Sequence, residues 1–293
     1  MALLKKYQFK CKRLPILDCG AAKVILEAHA KKLNRVEVSL DLGRTKTSVL
    51  IREKVAVLGG QAIPIEWLKE VASDEEGLYL LEAGALRKIA FSVEGHFYKL
   101  RRAPQGAAPT LEIDGIHMHR IKEVSPWQDS LLKVKAAKVK HGSKVLDVCT
   151  GLGYTAILSL KLGAREVTTI EVNPAILEIA SHNPWSCPLE DPRITILLGD
   201  AVEVVAKLPS NSYSNIIHDP PRFSLAGELY SLSFYKQLYR VLVPGGVLFH
   251  YTGAPGMRRG KDLAKGVAQR LREAGFEARL LRKVQGVVAF KPP

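Results

Sequence analysis

No apolar run in the 293 residues approaches the ~18 needed to span a membrane. The opening stretch Met1 to Lys12 is too basic and too broken for a signal peptide, so a cytoplasmic protein is expected. Cysteine is scarce, and Cys11, Cys19, Cys149 and Cys187 form no CxxC pair. Neither a disulfide framework nor a zinc site is expected from them. Cys11 and Cys19, eight apart on an expected hairpin, leave a local bridge open. His117 and His119 have no metal-ligating companion nearby, so no metal is expected. Low-complexity segments and internal repeats are absent. Acid is also short: 43 Lys and Arg face 29 Asp and Glu, a net charge of +14. Residues 1–124 hold 21 basic and 15 acidic side chains, and residues 125–293 hold 22 and 14, so the excess is not confined to a tail. Such a field favours a polyanion, RNA or DNA. A thermophile's charged surface would raise glutamate as well, and here the acids lag.

Apolar content of 47% and a mean hydropathy of +0.01 describe a globular chain, and its length predicts two domains. The rhythm changes near Ser125. Within 1–124, alternating runs such as 37–43, 47–52 and 54–60 are separated by turn residues, and "TLEIDGIHMHR" carries a central Asp-Gly turn. One or two helices, including 63–73, complete a small β-rich domain. Within 125–293, strands are expected at 144–149, 166–171, 194–200, 214–219, 247–252, 277–284 and 287–292. Helical stretches at 154–162, 174–182, 201–208, 227–242 and 260–274 separate the first six. Strict alternation predicts a doubly wound α/β sheet. "QG" is too short a link for a crossover, so the seventh strand must pair antiparallel.

Ligands of such sheets sit at the carboxyl ends of the strands. Those ends carry Asp147, the turn "TGLGYTA" (150–156), Glu171 followed by Asn173, the pair "GD" at 199–200, and Asp219. Gly151 and Gly153 let backbone approach a ligand and aim helix amides at it. The turn also satisfies the dinucleotide fingerprint, but Asp147 before the glycines would repel a pyrophosphate and welcome a positively charged amino-acid moiety. Taken together, these residues resemble the class I S-adenosylmethionine (SAM)-dependent methyltransferases over about 144–293. The resemblance implies a Rossmann-like seven-stranded sheet with its last strand antiparallel, and SAM as cofactor. It implies that Asp147, Thr150, Gly151, Gly153 and Tyr154 face the methionine part. Glu171, with Asn173 beside it, would take the ribose, and Asp200 with Ala201 the adenine. Cys149 stands where the family often carries glycine.

The fourth strand ends in "IIHDPPRFS". Asp219-Pro220-Pro221 resembles the Asp-Pro-Pro-aromatic motif of methyltransferases that act on exocyclic or amide nitrogens. A conjugated amino group attacks poorly because its lone pair is delocalised. Asp219 and the Pro220 carbonyl would accept its two hydrogens and aim the lone pair at the methyl. Arg222 replaces the aromatic. Phe223 one residue later or the Arg222 guanidinium would supply the stacking face, or Arg222 would grip a phosphate. His218 is read as a core residue rather than a base. Trp127 is expected to line the cofactor pocket, and Arg258 and Arg259 to belong to a basic group near the fifth strand.

The β-rich first domain, "DVCTGLGYTA" and "DPPRFS" most resemble a family of predicted archaeal methyltransferases, including enzymes that make N4,N4-dimethylcytidine in ribosomal RNA. That implies an RNA partner and a cytidine amine as target, with adenine N6 or guanine N2 of rRNA or tRNA as the chemical neighbours. Two other classes are open. A spermidine-synthase-like aminopropyltransferase shares the sheet but should be acidic, which +14 opposes. A catalytically silent RNA-binding factor would not need Asp147, Glu171, Asp200 and Asp219 all intact.

Overall fold

The structure is a computed structural model that describes residues 4–253 and 262–293. The chain forms two compact units. One holds a short N-terminal segment ending at Phe9, Gln128–Leu177 and the stretch from Pro188 onward; the other holds Lys10–Trp127 and Glu178–Cys187. Two segments therefore depart from chain order, since a split at Ser125 leaves 1–9 with the first domain and 178–187 with the second.

The unit built on Lys10–Trp127 is β-rich. One of its two four-stranded antiparallel meanders runs Arg35–Val38, Thr47–Ile51, Val55–Leu58 and Gln61–Pro64. Two further small antiparallel sheets lie in the same unit. Several hairpins close through two-residue loops, Ala83-Gly84, Glu94-Gly95 and Asp114-Gly115, with both residues at positive φ. Those loops match the strands' right-handed twist, and the glycine at the second position removes half the steric cost. Helices Cys19–Ala30 and Ile65–Ser73 cover a core that includes Leu17, Ile25, Val49, Ile63 and Leu68. The first helix is capped by Asp18, whose carboxylate accepts the Ala21 N–H at 2.8 Å. Cys19 therefore opens a helix rather than sitting on a hairpin. The disulfide joins Cys11 to Cys187, 176 residues on, so the local Cys11–Cys19 bridge left open above is not the one formed, and the scarce cysteines carry a bridge that no framework announced. Cys19 and Cys149 are free thiols.

The other unit is a mixed α/β layer structure. Its strands are β1 (Lys6–Tyr7), β2 (Lys144–Val148), β3 (Glu166–Glu171), β4 (Ile194–Leu198), β5 (Tyr213–His218), β6 (Leu242–Tyr251), β7 (Glu277–Leu281) and β8 (Gly286–Phe290). They lie in the order β1-β4-β3-β2-β5-β6-β8-β7. Strands β2 to β6 are parallel, and β8 runs antiparallel between β6 and β7. The sheet has eight strands rather than seven, because β1 adds antiparallel to the β4 edge. A two-residue strand carries no periodicity to read.

Helices α1 (Pro126–Ala136), α2 (Tyr154–Lys161), α3 (Pro174–Ser181), α4 (Ala201–Lys207), α5 (Leu232–Val241) and α6 (Leu263–Glu273) connect the strands. The strands read as Val, Leu and Ile runs because both faces are covered. One core joins Leu146, Val148, Ile170, Ile216 and Leu248 of the sheet to Val204, Phe234, Leu238, Val267 and Leu271 of the helices. No described helix is long and apolar enough to cross a membrane.

Candidate active site

Strand register gathers the acids. Val148 is opposite Ile170 on one side and His218 on the other, so the next residues, Glu171 and Asp219, flank Cys149 at one sheet edge. Glu171 is in turn opposite Leu198, which brings Gly199 and Asp200 alongside. Parallel strands with near-level ends thus convert four distant acids into one row.

The turn after β2 reverses tightly. Cys149, Gly151 and Gly153 all have positive φ, at 75°, 54° and 77°. Cys149 therefore adopts the backbone that glycine takes more readily, which accounts for the departure noted above. A Cβ on Gly153 would lie 2.5 Å from Leu189, while one on Gly151 would meet nothing within 4 Å. Gly153 is required by packing, and Gly151 faces open space.

Asp147 is fully buried beneath this turn. Its Oδ2 accepts a hydrogen bond from the Thr169 hydroxyl at 2.8 Å, and Thr169 is 2.7 Å from the Thr150 hydroxyl. Because Thr169 spends its hydrogen on Asp147, Thr150 is the donor in the second bond. Burial pushes the Asp147 carboxyl up to about 7, against the Thr169 and Thr155 hydroxyls, and its Oδ1 is buried with no hydrogen-bond partner. Tyr154 is buried at the start of α2.

Glu171 accepts three backbone N–H groups: Gly151 at Oε2 (3.0 Å), and Val172 and Asn173 at Oε1 (3.0 Å each). Burial raises its carboxyl and those amides oppose the shift. The same side chain thus ties β3 to the glycine turn. Asn173 caps α3 by accepting the Ala175 N–H, and Asp200 caps α4, accepting from Val202 at 2.7 Å and Glu203 at 3.2 Å. Ala201 opens that helix.

Asp219 ends β5 beside a lysine that sequence reading missed. Lys133, on α1, has a side chain with 0% exposure; its ammonium is 2.7 Å from Asp219 Oδ2 and 3.1 Å from Asp129 Oδ2. It also lies 3.9 Å from the Tyr251 ring centroid. Burial pushes the Asp219 carboxyl up and the Lys133 charge opposes it. The lysine is held above its ordinary range, because Asp219, Asp129 and Tyr251 outweigh its own burial. A signal was present in the sequence. Asp129, Ser130, Lys133, Val134 and Ala137 form one helical face, and all are buried, so a Lys–Asp pair at i,i+4 sits on the apolar side.

The rest of the stretch is arranged around Tyr230, whose hydroxyl donates to the Pro221 carbonyl at 2.8 Å. Phe223 is 50% exposed and packs edge-on against Tyr230, centroids 5.3 Å apart; Arg222 is exposed. Pro220 is buried. His218 is fully buried, 2.9 Å from the Leu229 carbonyl, with burial lowering it to about 4, so it is a neutral core residue. Burial raises the Cys149 thiol well above its usual value, and Glu171 and Asp219 add to the effect, so it is no thiolate nucleophile. Trp127 belongs to the β-rich unit, where its ring lies 5.0 Å from the Trp185 ring. Arg258 and Arg259 lie outside the described residues. No metal-binding cluster occurs among the described residues.

A sequence profile described as S-adenosyl-L-methionine-dependent methyltransferase matches residues 171–282. The uncharacterized protein MJ1233 of Methanocaldococcus jannaschii is 47% identical over 277 residues, covering 92% of this chain and 93% of that protein. The polyamine aminopropyltransferase of Clostridioides difficile is 29% identical over 149 residues, half of this chain and 53% of that enzyme. Among solved structures, a spermidine synthase bound to the transition-state analogue AdoDATO has a TM-score of 0.57 at 22% identity, covering 69% of this chain and 72% of that one. MnmC2 from Aquifex aeolicus has a TM-score of 0.51 at 22% identity, covering 70% and 75%. At that identity these structures speak for the fold. The residues present fit SAM: the buried Asp147 Oδ1, without a hydrogen-bond partner, suits an ammonium group, and the open space at Gly151 lets a ligand approach the turn. The chain belongs to the family of MJ1233, and it is a SAM-dependent methyltransferase.

Proposed function

We propose that the enzyme methylates an exocyclic base amine in RNA, with cytidine N4 of ribosomal RNA, once or twice methylated, as the target. The observation that carries this reading is Asp219-Pro220-Pro221 at the end of β5, where Lys133 holds the Asp219 carboxylate through Oδ2 and the side chain stays partly exposed. SAM supplies an electrophilic methyl on a sulfonium. Asp219 accepts an N–H of the incoming amine and turns its lone pair toward that methyl, and the Pro220 carbonyl takes the other hydrogen. The two prolines offer no competing N–H and keep that carbonyl rigid. Once methylated, the nitrogen is acidic and sheds its proton without a strong base. Phe223 is exposed enough to stack on a base that has left its helix. The chain's net +14 suits an RNA partner.

Adenine N6 and guanine N2 present nearly the same amine, and cytidine is preferred on family resemblance alone. The names of the sequence relatives favour a second reading, aminopropyl transfer to a polyamine. The buried Lys133 cation beside Asp219 opposes it, as does the basic surface.

The test is a nucleoside digest of archaeal ribosomal RNA methylated by the purified enzyme, read by mass spectrometry. N4-methylated cytidine is expected, and a methyl on a ribose or ring carbon would sink the reading. Asp219→Ala should keep SAM affinity and cut the rate by about 10² or more, as loss of a transition-state acceptor does. Calorimetry with SAM and decarboxylated SAM separates the second reading, which requires preference for the latter.

A further inference from the structure

Lys133 is the one feature of the site that neither the cofactor nor the acceptor motif calls for. A wholly buried ammonium is costly unless paired, and here it is paired twice, with Asp219 at 2.7 Å and Asp129 at 3.1 Å, under the Tyr251 ring. Asp129 and Lys133 stand one helical turn apart, so α1 presents them as a unit to the end of β5. Asp219 retains 18% side-chain exposure while Lys133 has none, so the carboxylate is the part of the pair that an incoming group reaches.

We propose that Lys133 is a positioning and specificity-determining residue: its ammonium occupies Asp219 Oδ2, leaves Oδ1 as a single ionised acceptor, and so admits an uncharged amino group while refusing a cationic amine. The inference rests on the amine-methylating reading above and adds the class of amine. An aliphatic di- or polyamine is cationic at neutral pH and would meet a fixed positive charge within one carboxylate's width. A base amine is neutral and meets only the free oxygen.

Burial and the Asp129 carboxylate on α1 push Asp219 the opposite way. The negative charge of Asp219 in turn raises its neighbours Asp147 on β2, Cys149 in the glycine turn and Tyr230 beside Pro221. Lys133 is the group that lowers it. Without the lysine, Asp219 would take up a proton more readily and turn from acceptor into donor.

The test uses the full chain loaded with S-adenosylhomocysteine, whose affinity reports that each variant is folded. Carboxyl carbon-13 NMR, with the Asp219 signal assigned by its loss in Asp219→Asn, should show an ionised Asp219 at pH 7. In Lys133→Met its midpoint should rise by about 1–3 units, as loss of an adjacent opposite charge does, and Lys133→Arg should restore it. Putrescine, titrated by calorimetry, should not bind the wild type measurably. It should bind Lys133→Met measurably, on the order of tenfold or more tighter than the detection limit that bounds the wild type, since one buried charge is worth at least that factor. The proposal is overturned by an Asp219 midpoint that does not move in Lys133→Met. Should that variant not fold, the wild type decides: a protonated Asp219 at pH 7, or tight putrescine binding, overturns it, and the opposite pair of results supports it. None of these readouts involves RNA. Failure to methylate RNA by a wild type that passes them would remove the RNA reading and leave Lys133 as assigned.

Discussion

Asp147 and Glu171 are both buried carboxyls, and their surroundings give them different work. Glu171 already accepts three amide donors before any ligand arrives, two at Oε1 and one at Oε2, which braces Gly151 and keeps room for one further donor. Glu171→Ala should therefore lose a charge-assisted contact and loosen the turn together. A loss of ~1.5–3 kcal/mol predicts SAM binding roughly ten- to hundredfold weaker by calorimetry. Unchanged affinity in both Glu171→Ala and Asp200→Ala would remove this edge of the sheet from consideration. Asp147 is held by hydroxyls, with Oδ1 left without a hydrogen-bond partner, and is raised to about 7 by burial. In the unfolded chain it titrates near ~3.9, so between about pH 4 and 7 the folded state holds the proton that the unfolded state has lost. Its contribution to stability is then full below pH 4 and declines as the pH rises to about 7. Adding an ammonium beside Oδ1 reverses the preference, so SAM binding should expel a proton below pH 7. Calorimetry in two buffers of different ionisation enthalpy should find release approaching about one proton near pH 6 and almost none at pH 8.5. No release at pH 6 would mean that Asp147 does not face the cofactor's ammonium.

The glycine turn after β2 and the disulfide show what an element can and cannot reveal of itself. Gly153→Ala combines a positive φ with a Cβ 2.5 Å from Leu189, so it should destabilise the fold by about 1–3 kcal/mol and weaken SAM binding. Gly151→Ala meets no atom and carries the backbone cost alone. Unfolding curves that fail to rank the two in this order would contradict the packing account. Cys11 and Cys187 close a very long loop within the β-rich unit, and losing such a bridge typically costs ~2–5 kcal/mol. Cys187→Ala should therefore melt lower than wild type without reductant, and dithiothreitol should abolish the difference. The βα alternation, the Asp-Gly hairpin and the strand-end acids were readable because each is local: a run of apolar residues, a turn dipeptide, a residue after a strand. The Cys11–Cys187 bridge, the β1 edge strand and the Lys133–Asp219 pair were not, because each joins residues that only the folded chain brings together. Lys133 is the instructive case, since its partner Asp129 was four residues away and the face they share is otherwise apolar. Weighing that face against the helix's overall polarity would have exposed a buried ion pair before its second partner was known.

At the scale of the whole molecule the decisive quantity is charge. Both halves of the sequence carry a surplus of basic residues, and the total of +14 belongs to a chain that buries two of its four strand-end acids, Asp147 and Glu171. The site and the surface therefore obey different electrostatics. Exposed cations sit in water and are screened by salt over about 8–10 Å, whereas Asp147 and Glu171 are shielded from it. If the surface charge serves an RNA partner, binding must displace condensed counterions and weaken as salt is added. Contacts to six to ten phosphates would cost about 10³- to 10⁵-fold in affinity between 50 and 200 mM salt. SAM affinity over the same range should change little. Filter binding of ribosomal RNA fragments, run beside SAM calorimetry in the same buffers, separates the two behaviours. An RNA affinity that is flat across this range would mean that the basic excess does not serve a nucleic acid, and the proposed partner would fall while the SAM site stood.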